Sequence, residues 1–205
     1  RDKNTSIHAQ SQQKFSHAFK TNKEFFKYNS KFNFITETHN QLFQTKNKLI
    51  DGSYHSGNFY RFFPLMGLAF ETPFKFLNDK NDFIFTPKGS LIITPGSSNS
   101  NKISNEESSN NNYSIATNIP LNRYSGTDKL DNSKRLNYGI RINNDNINLE
   151  LSQNYEFTDN SNYHIEQGNN NNLSDLLGAA SYATEKLVTN YDLRYDFNEN
   201  FLKSQ

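Results

Sequence analysis

Residues 136–157 read LNYGIRINNDNINLELSQNYEF, and the fold turns on how this stretch is read. Leu136, Tyr138, Ile140 and Ile142 alternate with Asn137, Gly139, Arg141 and Asn143. After the Asn/Asp run at 143–146, Ile147, Leu149, Leu151, Tyr155 and Phe157 alternate with Asn148, Glu150, Ser152, Asn154 and Glu156. Side chains on a strand point to opposite faces with period two, so each half has one apolar and one strongly polar face. Two such strands joined by a tight Asn/Asp turn form a β-hairpin. The charged face demands water. The apolar face demands a cover, either a second sheet or the lipid around an outer-membrane barrel.

The same period recurs on both sides of the hairpin. It predicts a strand over 27–38, with Tyr28, Phe32 and Phe34 on one face and Lys27, Lys31 and Glu37 on the other. It predicts further strands over 60–76, 83–94, 175–184 and 187–197, and a weaker one within 6–19. Pro64 and Pro73 remove ladder donors, which places them near strand ends or at a bulge. The connections alternate in length. Short turns are expected near 21–24, 77–82, 143–146 and 184–186. Long polar stretches fall at 39–57, 96–135 and 158–172. Outer-membrane barrels have short periplasmic turns and longer outer loops, whereas a soluble sandwich has no reason to gather its long loops at one end.

Composition agrees with a sheet that is apolar on one face only. The 205 residues are 33% hydrophobic, too lean for a conventional core, yet 14% aromatic, which argues against disorder. No apolar run is long enough for a membrane-spanning helix. A net charge of +1 gives no electrostatic footprint for nucleic acid, and the absence of cysteine leaves no thiolate or disulfide chemistry. The five histidines lack metal-ligand spacing, and the glycines lack the strand–helix setting of a phosphate loop, so no metal, cofactor or catalytic residue is expected. Asp192 and Asp196 share a face, but Arg194 between them reads as a solvated ion cluster rather than an acid/base pair.

The expected fold is therefore all-β: a segment of about eight to ten antiparallel strands of a larger transmembrane β-barrel. The abrupt polar start at Arg1-Asp2-Lys3-Asn4 and the end at Leu202-Lys203-Ser204-Gln205 read as those of an internal fragment. Dense inward charges suit a wide, water-filled interior. The candidate lumen-lining residues are Lys27, Lys31, Glu37, Arg141, Glu150, Glu156, Asp192, Arg194 and Asp196.

Several blocks in order resemble the C-terminal barrel domain of the LPS-assembly outer-membrane protein family LptD, also called OstA. They are Tyr60-Arg61-Phe62-Phe63-Pro64, Phe85-Thr86-Pro87, and Ile103-Ser104-Asn105-Glu106-Glu107-Ser108. The most specific block is Leu121-Asn122-Arg123-Tyr124-Ser125-Gly126-Thr127-Asp128-Lys129, followed by Arg135-Leu136-Asn137-Tyr138-Gly139-Ile140-Arg141. Ser152-Gln153-Asn154-Tyr155 and Ser174-Asp175-Leu176-Leu177-Gly178 complete the series. The likeness is strongest over 58–200, and it implies that all of 1–205 belongs to one barrel domain. The resemblance implies transport of lipopolysaccharide and its insertion into the outer leaflet of the cell outer membrane. It also implies a plug lipoprotein, LptE, a periplasmic Lpt bridge reached through an N-terminal domain, surrounding outer-membrane lipid, and no enzymatic activity. The family's cysteines are absent here, as are its N-terminal domain and its terminal barrel strands. Its loop motif maps to Asn122, Arg123, Gly126, Asp128 and Lys129. Gly126 can take φ > 0 at a bend, and an Arg123–Asp128 bridge across it would hold a long outer loop in one shape. The alternatives are a generic porin-like barrel and a soluble β-sandwich carbohydrate-binding module.

Overall fold

The computed structural model describes residues 10–77, 82–95, 99–105, 108, 120–158, 169–170, 172–197 and 201–204. Its strands are β1 Ser11–Lys27, β2 Ser30–Ile50, β3 Ser53–Glu71, β4 Phe74–Phe76, β5 Phe83–Ile93, β6 Lys134–Asn143, β7 Ile147–Glu156, β8 Asn169–Asn170, β9 Leu173–Ser174, β10 Leu176–Ala183, β11 Val188–Asp196 and β12 Phe201–Ser204. All belong to one sheet, whose main path is β1-β2-β3-β5-β6-β7-β10-β11-β12, every neighbouring pair antiparallel. Nine strands on that path agree with the eight to ten expected.

The register keeps the two faces distinct across the central strands β2 to β7, while in β1 Lys23 shares the row of Phe34 and Leu68. Cross-strand partners share a face, so the row Leu68–Leu91–Leu136–Tyr155 is apolar and the row Lys31–Glu71–Lys88–Gly139–Ser152 is polar. On the apolar side Leu68, Leu91 and Leu149 stay 43%, 41% and 43% exposed. Among the described residues no second sheet covers them, which removes the soluble sandwich. Aromatic side chains crowd the short-turn end of this face: Phe25 stacks on Phe32 at 5.0 Å, and Phe74, Phe76 and Phe83 follow across the next turn. This is the girdle of a membrane barrel, whose strands cross lipid with one face outward. The polar row above continues through Leu177 to Arg194. It runs beside the turn at Lys31 and Glu71 but lies progressively above the turns at Asn143–Ile147 and Ala183–Val188. That stagger is the shear a tilted barrel wall requires.

Several boundaries differ from the sequence expectation. The first turn is not at 21–24: β1 runs through those residues, and the chain reverses at Tyr28-Asn29, both in the left-handed region (φ 50° and 63°) as a type I′ hairpin needs. Reversing there pairs Lys27 with Ser30 and moves Lys27 onto the apolar face, where its Nζ lies 5.2 Å from the Tyr28 ring. Lys27 is thus not on the face of the other candidates. The polar stretch at 39–57 is not a loop but the far half of a β2–β3 hairpin that turns at Asp51-Gly52 (φ 48° and 80°). β1, β2 and β3 have 17, 21 and 19 residues, well beyond the roughly 9–11 that cross a bilayer. The excess stands outside the apolar band, so its outward face is free to be polar. Pro73 does end a strand, separating β3 from β4. Pro64 lies mid-strand: it pairs with Thr38 of β2 but, above Met66 where β5 stops pairing with β3, has no ladder partner on its other side. The short β12 was not anticipated. Tight turns at 143–146 and 184–187 fall where expected, the first held by Asn144 Oδ1 accepting from the backbone N–H groups of Asn146 (3.0 Å) and Ile147 (2.7 Å).

Candidate functional site

The polar face carries the candidate residues, and the β5–β6 connection is seated on it. Five cross-strand residues, Ile35–Gly67–Ile92–Arg135–Glu156, form the seating row. Above it Phe63 and Leu65 of β3 add to a small apolar island. Leu121 and Leu130 of the connection close over the island, all fully or nearly buried. Gly67 makes the contact possible: a β-carbon there would come within 2.6 Å of Leu121 Cδ2.

On the β6–β7 side of the island the connection is fixed by charge. Arg123 donates from Nε to Asp131 Oδ2 (2.5 Å) and from Nη2 to Glu156 Oε2 (3.0 Å). Arg135 Nη1 donates to the same Asp131 carboxylate at 2.9 Å, and its Nη2 to the Pro120 carbonyl. Ser133 Oγ donates to Glu156, and Thr94 bonds both backbone groups of Ser133. Arg123, Asp131, Ser133, Arg135 and Glu156 are all at most 2% exposed. Two guanidiniums and two carboxylates therefore balance in a dry cluster, the condition under which buried charge is tolerated.

On the β1–β3 side the hold is made mainly through backbone carbonyls. Arg61 donates to the carbonyls of Asp128 (2.8 Å) and Thr127 (2.6 Å) and to Gln41 Oε1 (2.8 Å), with its guanidinium over the Phe43 ring. Gln41 Nε2 also reaches the Thr127 carbonyl, Lys14 Nζ pairs with Asp128 at 3.0 Å, and Gln12 bonds both backbone groups of Ser104. The connection thus braces the sheet from β1 to β7.

Within the brace the loop motif does local work. Asn122 Nδ2 donates to the carbonyls of Tyr124 and Gly126, and its Oδ1 accepts from Asp131 N. Gly126 has φ +70°, as expected at the bend. Lys129 Nζ lies 5.8 Å from the Tyr124 ring, and Ser108 Oγ accepts from the N–H groups of Asp128 and Lys129 at 3.0 Å each. The latter contact joins two of the sequence blocks; Glu106 and Glu107, within the first of them, lie outside the described residues. The expected Arg123–Asp128 bridge is replaced. Arg123 turns to Asp131 and Glu156, Asp128 to Lys14, because the bend at Gly126 sends the two side chains to opposite ends of the brace.

The remaining candidates form cross-strand pairs nearer the short turns. Glu150 accepts from Lys88 and, at 2.9 Å, from Arg141. Lys31 pairs with Glu24 at 3.0 Å, and Glu37 lies 2.7 Å from His39 Nε2 and 3.8 Å from Lys20. Arg194 Nε reaches Asp175 at 3.1 Å, while Asp192 and Asp196 share its face. Glu156, expected to line an open interior, is instead a fully buried anchor of the brace. Arg61 and Asp131 were missed as site residues. Arg61 stood within a block already singled out, and Asp131 lies just beyond the end of the loop motif.

Such a surface, alternating in charge and bordered by amides and hydroxyls, can hold hydrated polar groups while the other face meets lipid. A family model described as LptD, LPS transport system D, matches residues 3–205. No curated protein matches the chain.

Proposed function

The chain belongs to the LptD family of outer-membrane β-barrel proteins, which act in lipopolysaccharide transport to the outer membrane, and from that premise we propose that it is part of the translocon that inserts lipopolysaccharide into the outer leaflet. Residues 1–205 form part of one barrel domain, with the polar face as its lumen. Lys31, Glu37, Arg141, Glu150, Asp192, Arg194 and Asp196 line that lumen. Asn122, Arg123, Gly126, Asp128, Lys129 and Glu156 hold the brace within it. The sugar portion of lipopolysaccharide travels along the charged wall, and the acyl chains stay on the lipid side. The lipoprotein LptE plugs the barrel, and a periplasmic Lpt bridge delivers cargo through an N-terminal domain.

The observation that carries this reading is the separation of faces across the central strands, apolar on one side and ion-paired on the other. Depletion of the full-length parent protein tests it. Loss of lipopolysaccharide from the cell surface with small-solute uptake unchanged is the expected result. Loss of solute uptake with normal surface lipopolysaccharide would favour the porin-like alternative instead.

A further inference from the structure

The lipid side of β1–β3 carries charge of one sign. Lys23, Lys27 and Lys46 lie on it, and among the described residues of these strands no Asp or Glu does. Their carboxylates, Glu24, Glu37 and Glu71, all sit in rows of the opposite face. Depth sets Lys23 apart. Lys27 ends β1 at the short turn, and Lys23 stands four residues further along. At about 3.3 Å per residue and a tilt of about 40°, its Cα lies about 10 Å inside an apolar band about 25 Å tall. A lysine facing lipid is costliest near this depth. Lys23 is nevertheless exposed, and it meets no carboxylate among the described residues. Its long stem can carry the ammonium down to the turn, past the stacked rings of Phe25 and Phe32. There Lys27 pairs across the strands with Ser30, whose hydroxyl bonds Thr72 Oγ1 at 2.8 Å. One hydroxyl of that pair donates to the other, so one hydrogen stays free to point outward.

We propose that Lys23 and Lys27 clamp the headgroup phosphate of one anionic phospholipid in the leaflet at the short turns. The site lies on the opposite face of the wall from the cargo path and is independent of it. Charge selects the headgroup. Two ammoniums with no carboxylate beside them call for an anion. A zwitterionic lipid brings its own ammonium, which both lysines repel. A lipid whose headgroup ends in glycerol brings a net negative charge, and its hydroxyls can meet the Ser30–Thr72 pair. Depth selects a lipid over a free ion. To reach Lys23 a phosphate ion would have to enter hydrocarbon, whereas a lipid carries its phosphate to that boundary on its own chains. Those chains lie along Phe32, Phe34 and Leu68, which share the outward face beside the two lysines. Lys27 also stays close to an aromatic ring, its Nζ 5.2 Å from the centre of Tyr28, as is usual for a cation held at a membrane boundary.

The test uses the full-length parent protein in nanodiscs of equal parts phosphatidylglycerol and phosphatidylethanolamine, with the lipids it retains counted by native mass spectrometry. The expected result is retention of phosphatidylglycerol over phosphatidylethanolamine. That preference should fall about fivefold in Lys23→Gln and in Lys27→Gln, as loss of one lysine near an anionic surface predicts. It should be unchanged in Lys46→Gln, on the same face at the far end of the strands, and kept in Lys23→Arg. A heat-modifiable band confirms folding; should Lys23→Gln not fold, Lys27→Gln is read in the same way. Equal retention of the two lipids, or a preference indifferent to both substitutions, would overturn the site. Loss of the preference on adding excess inorganic phosphate would mean an ion site open to water and would overturn the lipid clamp as well. Each of these outcomes leaves the transport reading standing, since none of the three lysines faces the lumen.

Discussion

Leu121 occupies the space that a side chain on Gly67 would take, its Cδ2 lying 2.6 Å from the position of a β-carbon there. One residue is in a strand of the wall, the other in the connection seated on it, so a side chain at Gly67 would have to displace the tip of Leu121. Gly67→Val should lower stability by about 1–3 kcal/mol through overpacking. Leu121→Ala should cost about 2–5 kcal/mol through the cavity left in the island. The two should be less than additive, since Leu121→Ala empties the space the valine needs. Denaturant unfolding of the purified barrel in detergent, with limited proteolysis of the connection, checks all three.

The buried charge cluster yields a second expectation. Glu156→Leu leaves Arg123 short of a partner in a dry site and should cost about 3–5 kcal/mol. In double-mutant cycles Arg123 should couple to Asp131 and Glu156 by at least about 1 kcal/mol and to Asp128 by almost nothing. A coupling between Arg123 and Asp128 as large as that to Glu156 would contradict the arrangement seen here.

Opposite faces of one strand should respond oppositely to charge. Ile140 and Leu151 are cross-strand partners on the apolar face. A lysine at either should oppose insertion by about 2–4 kcal/mol near the bilayer midplane. Lysine at Asn148, on the polar face of the same hairpin, should change folding into lipid vesicles by less than about 0.5 kcal/mol. Equal effects at the three positions would mean the apolar face does not meet lipid.

Cysteine labelling reads the orientation. The 205 residues hold no cysteine, so an introduced thiol is the only one within them, and the unsubstituted parent protein is the baseline. His55→Cys, exposed on the β2–β3 extension, should react with a membrane-impermeant maleimide on intact cells. Asp145→Cys, exposed at the β6–β7 turn, should react only after the outer membrane is permeabilised. The reverse pattern would invert the barrel.

Much of the wall was legible in sequence because lipid on one side and water on the other impose a strict period of two. Leu136–Phe157 folds as read, down to the Asn144 turn. Legibility failed where that constraint ends. Beyond the apolar band β2 places Leu42 on the outward face and Phe43 on the inward one, so the alternation dissolves and the extension reads as loop. The Asp51-Gly52 dipeptide was the available signal, since both residues suit the φ > 0 positions of a type I′ turn. Lys27 differs from the reading because a two-residue reversal at Tyr28-Asn29 interrupts the count of alternate residues and pairs Lys27 with Ser30. The loop motif was recognised, but its partners were not. Proximity in sequence suggested Asp128 for Arg123, whereas the carboxylates that meet it are Asp131, just beyond the motif, and Glu156, from a strand 33 positions away.

The brace also ties together stretches of chain that are far apart in sequence. Its footholds come from both directions along the chain: Gln12, Lys14, Gln41 and Arg61 precede it, and Arg135 and Glu156 follow it. It therefore has nowhere complete to land until β1–β3 and β6–β7 stand in one wall, whichever of them is in place first. A chain missing either side would leave half of the footholds empty and display the connection to proteases, so its protection reports that the wall is whole.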